Sequence, residues 1–79
     1  MLISDLLSVP YNVKRLRDTE LRDNLLIPKY LEFADTFAPI IVNNKMVIYD
    51  GHHRVIAFMY LGKKEIKAEI RDIEICTWM

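Results

Sequence analysis

The densest chemistry in the chain is the run Asp50-Gly51-His52-His53-Arg54. A carboxylate, two imidazoles and a guanidinium fall on consecutive residues, around a glycine that frees the backbone to turn. The residues before the run, Ile40 to Tyr49, read as strand, turn and strand. Those after it, Val55 to Leu61, read as a helix closed by Gly62. A strand that passes through a glycine turn into a helix aims the unpaired N–H groups of the first helical turn at one spot. The helix dipole adds partial positive charge there. With Arg54 and both histidines on the same turn, the stretch is a candidate cradle for a phosphate or another anion.

Each side chain in the run admits more than one role. The Arg54 fork matches phosphate oxygens and stays charged at any physiological pH. Its competing role is a local pair with a carboxylate such as Asp50. His52 and His53 can donate to a phosphate, act as general acid or base near neutrality, or satisfy a cap or loop hydrogen bond. Asp50 can cap the helix, hold Mg²⁺ beside phosphate oxygens, or take a proton from a substrate hydroxyl. A metal centre built on the adjacent histidines is disfavoured. Neighbours at a helix start do not usually both reach one ion, and no third ligand stands out. Upstream, Lys14, Arg15 and Arg17 form a basic cluster. It reads as a solvated loop or, through Lys14, as added charge beside the anion site.

The central turn resembles the ParB/sulfiredoxin-like superfamily. Its ParB members carry D-G-E-R-R between a strand and a helix that ends in Leu-x-Gly or similar. Here the turn is Asp50-Gly51-His52-His53-Arg54 and the helix ends at Leu61-Gly62. Sulfiredoxins carry Gly-Cys-His-Arg, matched by Gly51-His52-His53-Arg54 except at the cysteine. The D-G-H-H-R form looks most like the free-serine kinases of the superfamily. Upstream, Pro10-Tyr11-Asn12-Val13-Lys14 is similar to the family's P-x-[QN]-P-R segment, and Pro39-Ile40-Ile41-Val42 to its P-I-x-V strand. Downstream, Ile66 to Ile70 stands where the family has its closing strand.

The resemblance implies a small α+β domain of ParB/sulfiredoxin-like type and a nucleotide ligand, whether ATP, ADP or CTP, with Mg²⁺. It implies phosphate contacts from Gly51, His52, His53, Arg54 and Lys14, catalytic roles for Asp50, His52 and His53, and Mg²⁺ on Asp50. Lys14 stands where the family has arginine, which keeps a point charge but loses the bidentate fork. His52 in place of the sulfiredoxin cysteine argues against sulfinic-acid reduction by that route. No helix-turn-helix follows, so a complete partition protein is not expected. Ala38 stands where ParB proteins often carry glutamine, which weakens the case for ParB-style triphosphate chemistry. The serine kinases also use an acidic residue outside the turn, for which Asp5, Glu20 and Glu32 are the candidates.

Seventy-nine residues make one small domain, taken as 1–79, and a hydrophobic content of 52% suits a packed core. So small a domain buries little surface per residue, which makes an oligomer a reasonable expectation. Eleven basic and 11 acidic side chains cancel. Nucleic-acid binders usually carry a basic excess, so DNA binding or nicking is the weakest of the functional readings. Cys76 is the only cysteine, which excludes an intramolecular disulfide and fits a reduced, cytoplasmic setting. The start Met1-Leu2-Ile3-Ser4-Asp5 lacks the basic region and long apolar core of a signal peptide, and no apolar run approaches a membrane span.

Around the central turn, Met1 to Ser4 reads as a first strand. Pro10 to Asn12 reads as a turn, with Pro10 ending any regular element. A helix is expected from Asp18-Thr19, with Leu21, Leu25 and Leu26 as its core stripe. Pro28 breaks it or opens the next, which continues through Tyr30, Leu31, Phe33 and Ala34 to Asp35-Thr36. Ile40 to Val42 and Met46 to Tyr49 form a hairpin about Asn43-Asn44-Lys45. The helix from His52 to Leu61 is apolar nearly all round, so either it is buried on several sides or one face meets a partner. Ile66, Ala68 and Ile70 alternate with charged residues as a strand with one wet face, and Asp72 breaks the phase before Ile73 and Ile75. The expected fold is α+β, with a small mixed sheet and helices packed on one side. The leading functional expectation is a nucleotide- or phosphate-binding domain with weak nucleotidase or phosphotransferase activity. The alternative is a silent interaction module that regulates a protein partner or self-associates through the apolar helix and the Cys76–Met79 tail, with Trp78 as its anchor.

Overall fold

The β-branched run Ile40-Ile41-Val42 becomes the central strand of the fold, and the rest of the chain is laid against it. The computed structural model describes residues 1–76. In chain order the elements are α1 (Ile3–Leu7), α2 (Pro10–Arg22), α3 (Ile27–Glu32), β1 (Ile40–Val42), β2 (Ile48–Asp50), α4 (His52–Tyr60) and β3 (Ala68–Ile70), with single 3₁₀ turns over 24–26 and 34–36. The sheet order is β2-β1-β3, antiparallel between β1 and β2 and parallel between β1 and β3. The expected α+β class with a small mixed sheet is thus met. Ile3 and Leu6 of α1, Leu16 of α2, Ile27 of α3, and Val55 and Ile56 of α4 pack with Ile40, Val42, Ile48 and Ile66 as one core.

Several expectations are corrected. Met1 to Ser4 is not a strand. Only Leu2 bridges, to Glu65, while Ile66 N–H donates to the Met1 carbonyl at 2.9 Å. Ile3 and Leu6 are one helical turn apart, so winding into α1 buries both on one face. Pro10 does not end an element; it opens α2 at the first helical position, where its missing N–H costs nothing. Lys14, Arg15 and Arg17 therefore lie on a helix rather than a loop, and Asp18-Thr19 lies inside that helix rather than at a start. The buried face of α2 is Asn12, Leu16 and Thr19, so the expected core stripe fails: Leu21 is 74% exposed and Leu25 90%. Leu26 and Phe33 are exposed as well.

The hairpin forms as expected, with one change. The Asn43 side-chain oxygen accepts the N–H groups of Lys45 and Val47, each at 2.9 Å, and Met46 takes a positive φ of 61° instead of joining β2. The apolar helix α4 buries Val55, Ile56 and Ala57 but leaves Met59 and Tyr60 exposed. In β3 the expected alternation breaks at Ile70, which is exposed, although Ile66 before it is buried. Trp78 and the rest of 77–79 lie outside the described residues.

Two contacts fix how the elements meet. Asn12, fully buried on α2, donates from Nδ2 to the carbonyls of Leu6 at 2.9 Å and Met46 at 2.7 Å, and its Oδ1 accepts the Ile48 N–H at 2.9 Å. One carboxamide thereby ties α1, α2 and the start of β2 together. Gly51, with φ 110°, lies so close to β1 that a Cβ there would sit 2.5 Å from Ile40 Cγ2. No other residue fits both that backbone and that space.

Replacing Asn12 with alanine removes all three bonds, leaves the Ile48 N–H and the Met46 carbonyl without this partner while the Leu6 carbonyl keeps only the Val9 N–H, and is expected to cost roughly 3 kcal/mol. Urea unfolding reads this directly, and Asn12→Asp should fare no better, because a carboxylate cannot donate to two carbonyls. Gly51→Ala combines a left-handed backbone with overpacking against Ile40 and should cost about 3 kcal/mol or more by the same measurement.

Candidate anion site

The N-terminus of α4 opens onto a cleft of about 170 Å³ between α2 and α3, lined by Arg15, Thr19, Arg22, Tyr30, Asp50, Gly51, His52, His53 and Arg54. Three elements build it. Gly51 turns the chain from β2 into α4, and its carbonyl takes the Val55 N–H at 3.0 Å as the first helical bond. The N–H groups of His52, His53 and Arg54 therefore have no partner within the helix. On α2, Arg15, Thr19 and Arg22 are four and then three residues apart, which puts them on one face. From α3 comes Tyr30.

His52 is the most unusual group in the cleft. Its Nε2 is buried and has no hydrogen-bond partner among the described residues. Burial, and then the Arg15 and His53 charges beside it, push its pKa from 6.5 down to about 4. The ring is neutral at physiological pH. A buried ring nitrogen left unpaired is costly and calls for an explanation.

His53 is held from two sides. Its ring stacks on Tyr30, with centroids 4.9 Å apart and planes 13° from parallel, and its Nε2 lies 3.0 Å from Asp23 Oδ2. Arg22 also donates to that oxygen, from Nε at 3.1 Å. The Arg22 hydrogen bond, and then that of His53, hold the Asp23 carboxyl below its usual range. Asp23 is therefore a fixed acceptor that sets the orientation of the imidazole, the arrangement a general base needs.

All five residues of the Asp50–Arg54 run line the one cleft. Arg54 Nη1 donates to the Pro39 carbonyl at 3.1 Å, and Nη2 lies 3.7 Å from Asp50 Oδ2. Its fork is thus partly engaged with the segment leading into β1, and the competing local pair is formed. Asp50 does not cap α4, whose N-cap is Gly51 with no side-chain hydrogen bond, and its side chain is exposed at the cleft. Among the described residues no group of three or more His, Cys, Asp or Glu could hold a metal ion.

Lys14 does not line the cleft; it reaches Asp18 at 3.8 Å on the outside of α2. The reason is the helix itself, since adjacent residues point about 100° apart. Arg15, the neighbour, takes the position expected of Lys14 and makes no hydrogen bond or ion pair among the described residues. Asp5, Glu20 and Glu32 do not line the cleft either; Glu20 accepts the Tyr60 hydroxyl at 2.6 Å. The carboxylate that reaches His53 is Asp23, for which the sequence gives no signal, because the pair is 30 residues apart. Arg15, Thr19 and Arg22 carry a signal, their common helical face, which is readable only once α2 is known to start at Pro10.

No protein-family model, no characterised protein and no solved structure matches the chain. The functional reading therefore rests on this geometry. None of the helices in the described residues is long and apolar enough to cross a membrane.

The depressed His52 pKa sets a pH dependence with a definite sign. The unfolded chain binds this proton near 6.5 and the folded protein only near 4. Above both values neither state binds it. As pH falls between them the unfolded state binds more protons, so stability drops, and the loss is complete below about 4. Histidine proton resonances should show one ring titrating near 4. The stability difference between about pH 7 and about pH 5 should shrink in His52→Gln, measured by urea midpoints at each pH.

Proposed function

We propose that the chain is a ParB/sulfiredoxin-like domain that binds the phosphoryl group of a nucleotide or other small phosphate ester and turns it over weakly, as a nucleotidase or phosphotransferase. The observation that carries this reading is the unpaired, buried Nε2 of neutral His52, set beside the unpaired Arg15 at a helix N-terminus. An anion answers all three at once. It accepts from the His52 ring when the proton is on Nε2, it neutralises Arg15, and it takes the free N–H groups of α4.

The size of the cleft narrows the ligand. About 170 Å³ suits a phosphoryl group and falls below the roughly 300 Å³ at which drug-sized ligands begin to fit. The base and sugar of ATP, ADP or CTP would lie outside it, so recognition would rest on phosphate. Arg15 takes over the charge role first given to Lys14, and Arg54 lends charge from the cleft wall. Asp50, at the cleft edge, would hold Mg²⁺ together with phosphate oxygens and water, the usual mode for that ion when few carboxylates are present. The bound nucleotide would supply the phosphoryl group to be transferred. His53, oriented by Asp23 and Tyr30, is the base that would take the proton from an attacking water or hydroxyl.

The interaction-module reading is favoured by a different observation, the exposed leucines at the end of α2, taken up below. DNA binding has only the family analogy behind it, against a net charge of zero.

Thermal shift with phosphate, pyrophosphate and nucleoside mono-, di- and triphosphates, with and without Mg²⁺, tests the proposal. At about 100 times its dissociation constant a ligand adds roughly 2.7 kcal/mol, a shift of order 10 °C for a domain this small. The shift should vanish in Arg15→Ala and survive in Lys14→Ala. The His52 resonance should titrate at higher pH with phosphate bound, since a nearby anion favours the protonated ring. An unshifted melting curve across the whole panel would sink the reading.

A further inference from the structure

Six of the large hydrophobic side chains that the fold leaves exposed are Leu21, Leu25 and Leu26 around the end of α2, and Met59, Tyr60 and Leu61 at the end of α4. Ordinary surfaces scatter such residues singly. Here two apolar hollows, of about 490 and 510 Å³, adjoin at Glu20, Leu21 and Tyr60. They form a continuous groove along the outer side of α2, across the last turn of α4 and onto α3. None of this surface contributes to the anion cleft, which α2 lines through Arg15, Thr19 and Arg22.

The charges on the groove indicate what covers it. Among the described residues its lining contains one cation and one anion, Arg17 and Glu20, three residues apart on α2. An acidic or basic partner would leave one of them opposed by a like charge. A second copy would not. When two α2 helices cross antiparallel about a two-fold axis, Arg17 of each copy meets Glu20 of the other, which is the self-complementarity a two-fold contact requires. Arg17 makes no salt bridge among the described residues that would compete. Leu21, 74% exposed where the two hollows join, is both a side chain to insert and part of the wall that receives one. A domain of 79 residues with a small core also gains proportionally more than a large one from covering such a face.

We infer that the chain forms a two-fold symmetric dimer through the α2–α4 groove, with reciprocal Arg17–Glu20 pairs about the axis and Leu21 of each copy beside them, set into the other copy's hollow. The inference does not depend on the phosphate reading. The contact adjoins the cleft through Arg22 and Asp23, the residues between Leu21 and the exposed turn at 24–26.

Sedimentation equilibrium from about 1 µM to about 1 mM chain, without phosphate, is the experiment. The wild type should dimerise within that range. Leu21→Glu should raise the dissociation constant at least about 30-fold, the loss expected of an interface anchor set in a pocket, with an unchanged circular dichroism spectrum. Arg17→Glu should also weaken the dimer, and the double exchange Arg17→Glu with Glu20→Arg should restore it, as only a self-paired contact allows. A monomer throughout the range overturns the inference. So does a dimer indifferent to Leu21→Glu, or one that the double exchange fails to restore.

Discussion

The side-chain amide of Asn12 is the contact on which the arrangement of this molecule depends. It is fully buried, and it joins the end of α1, the start of α2 and the strand that leads to Gly51 through three short hydrogen bonds. A carboxamide suits this position because it donates twice and accepts once in a fixed plane. Once Asn12 is held, α2 has no freedom to rotate. Leu16 must face the core, and Arg15, Thr19 and Arg22 must face the turn before α4. The cleft is thus a consequence of a hydrogen bond made one helical turn away from it.

Gly51 sets the other wall. Its close approach to Ile40 presses the start of α4 against the central strand, so the free N–H groups of the helix open beside α2 and not into solvent alone. The two adjacent histidines then part company. His52 turns into the protein and loses its proton to burial, while His53 turns toward Asp23 and Tyr30. Neighbours in sequence with the same side chain acquire different chemistry because a helix start points them in different directions. This is the same rule that separates Lys14 from Arg15 on α2.

The short elements leave this domain with little to spare. Strands of three residues and helices of five and six supply few long-range contacts each. The core draws one or two buried side chains from each element but β3, instead of a full face from any. Such a fold exposes what it cannot cover, and the leucines at 21, 25 and 26 are the largest part of that remainder. Their position follows from α2 running to Arg22, past the region where α4 and α3 can cover its outer side.

Much of the local structure was legible in the residues. The β-branched run at 40–42, the asparagine turn after it, the Asp-Gly turn into an apolar helix and the glycine that ends it are all signals of short range, and each formed within about a residue of its expected place. That Asp50 to Arg54 share one cleft was legible for the same reason, since a glycine turn gathers them at the start of a helix. Errors fell where two local readings compete. Pro10 opens a helix as readily as it ends one, and Met1 to Ser4 pairs at only one residue before winding into α1. Reading Pro10 as a stop places the basic cluster in a loop and sends three leucines into a core they do not enter. The sequence by itself determined the turn chemistry and the sheet's central strand, because φ preferences and side-chain shape act within a few residues. Only the tertiary structure decided the partner of His53, the burial of His52 and the face α2 turns to each, because those depend on groups 30 or more residues apart meeting across a packed core.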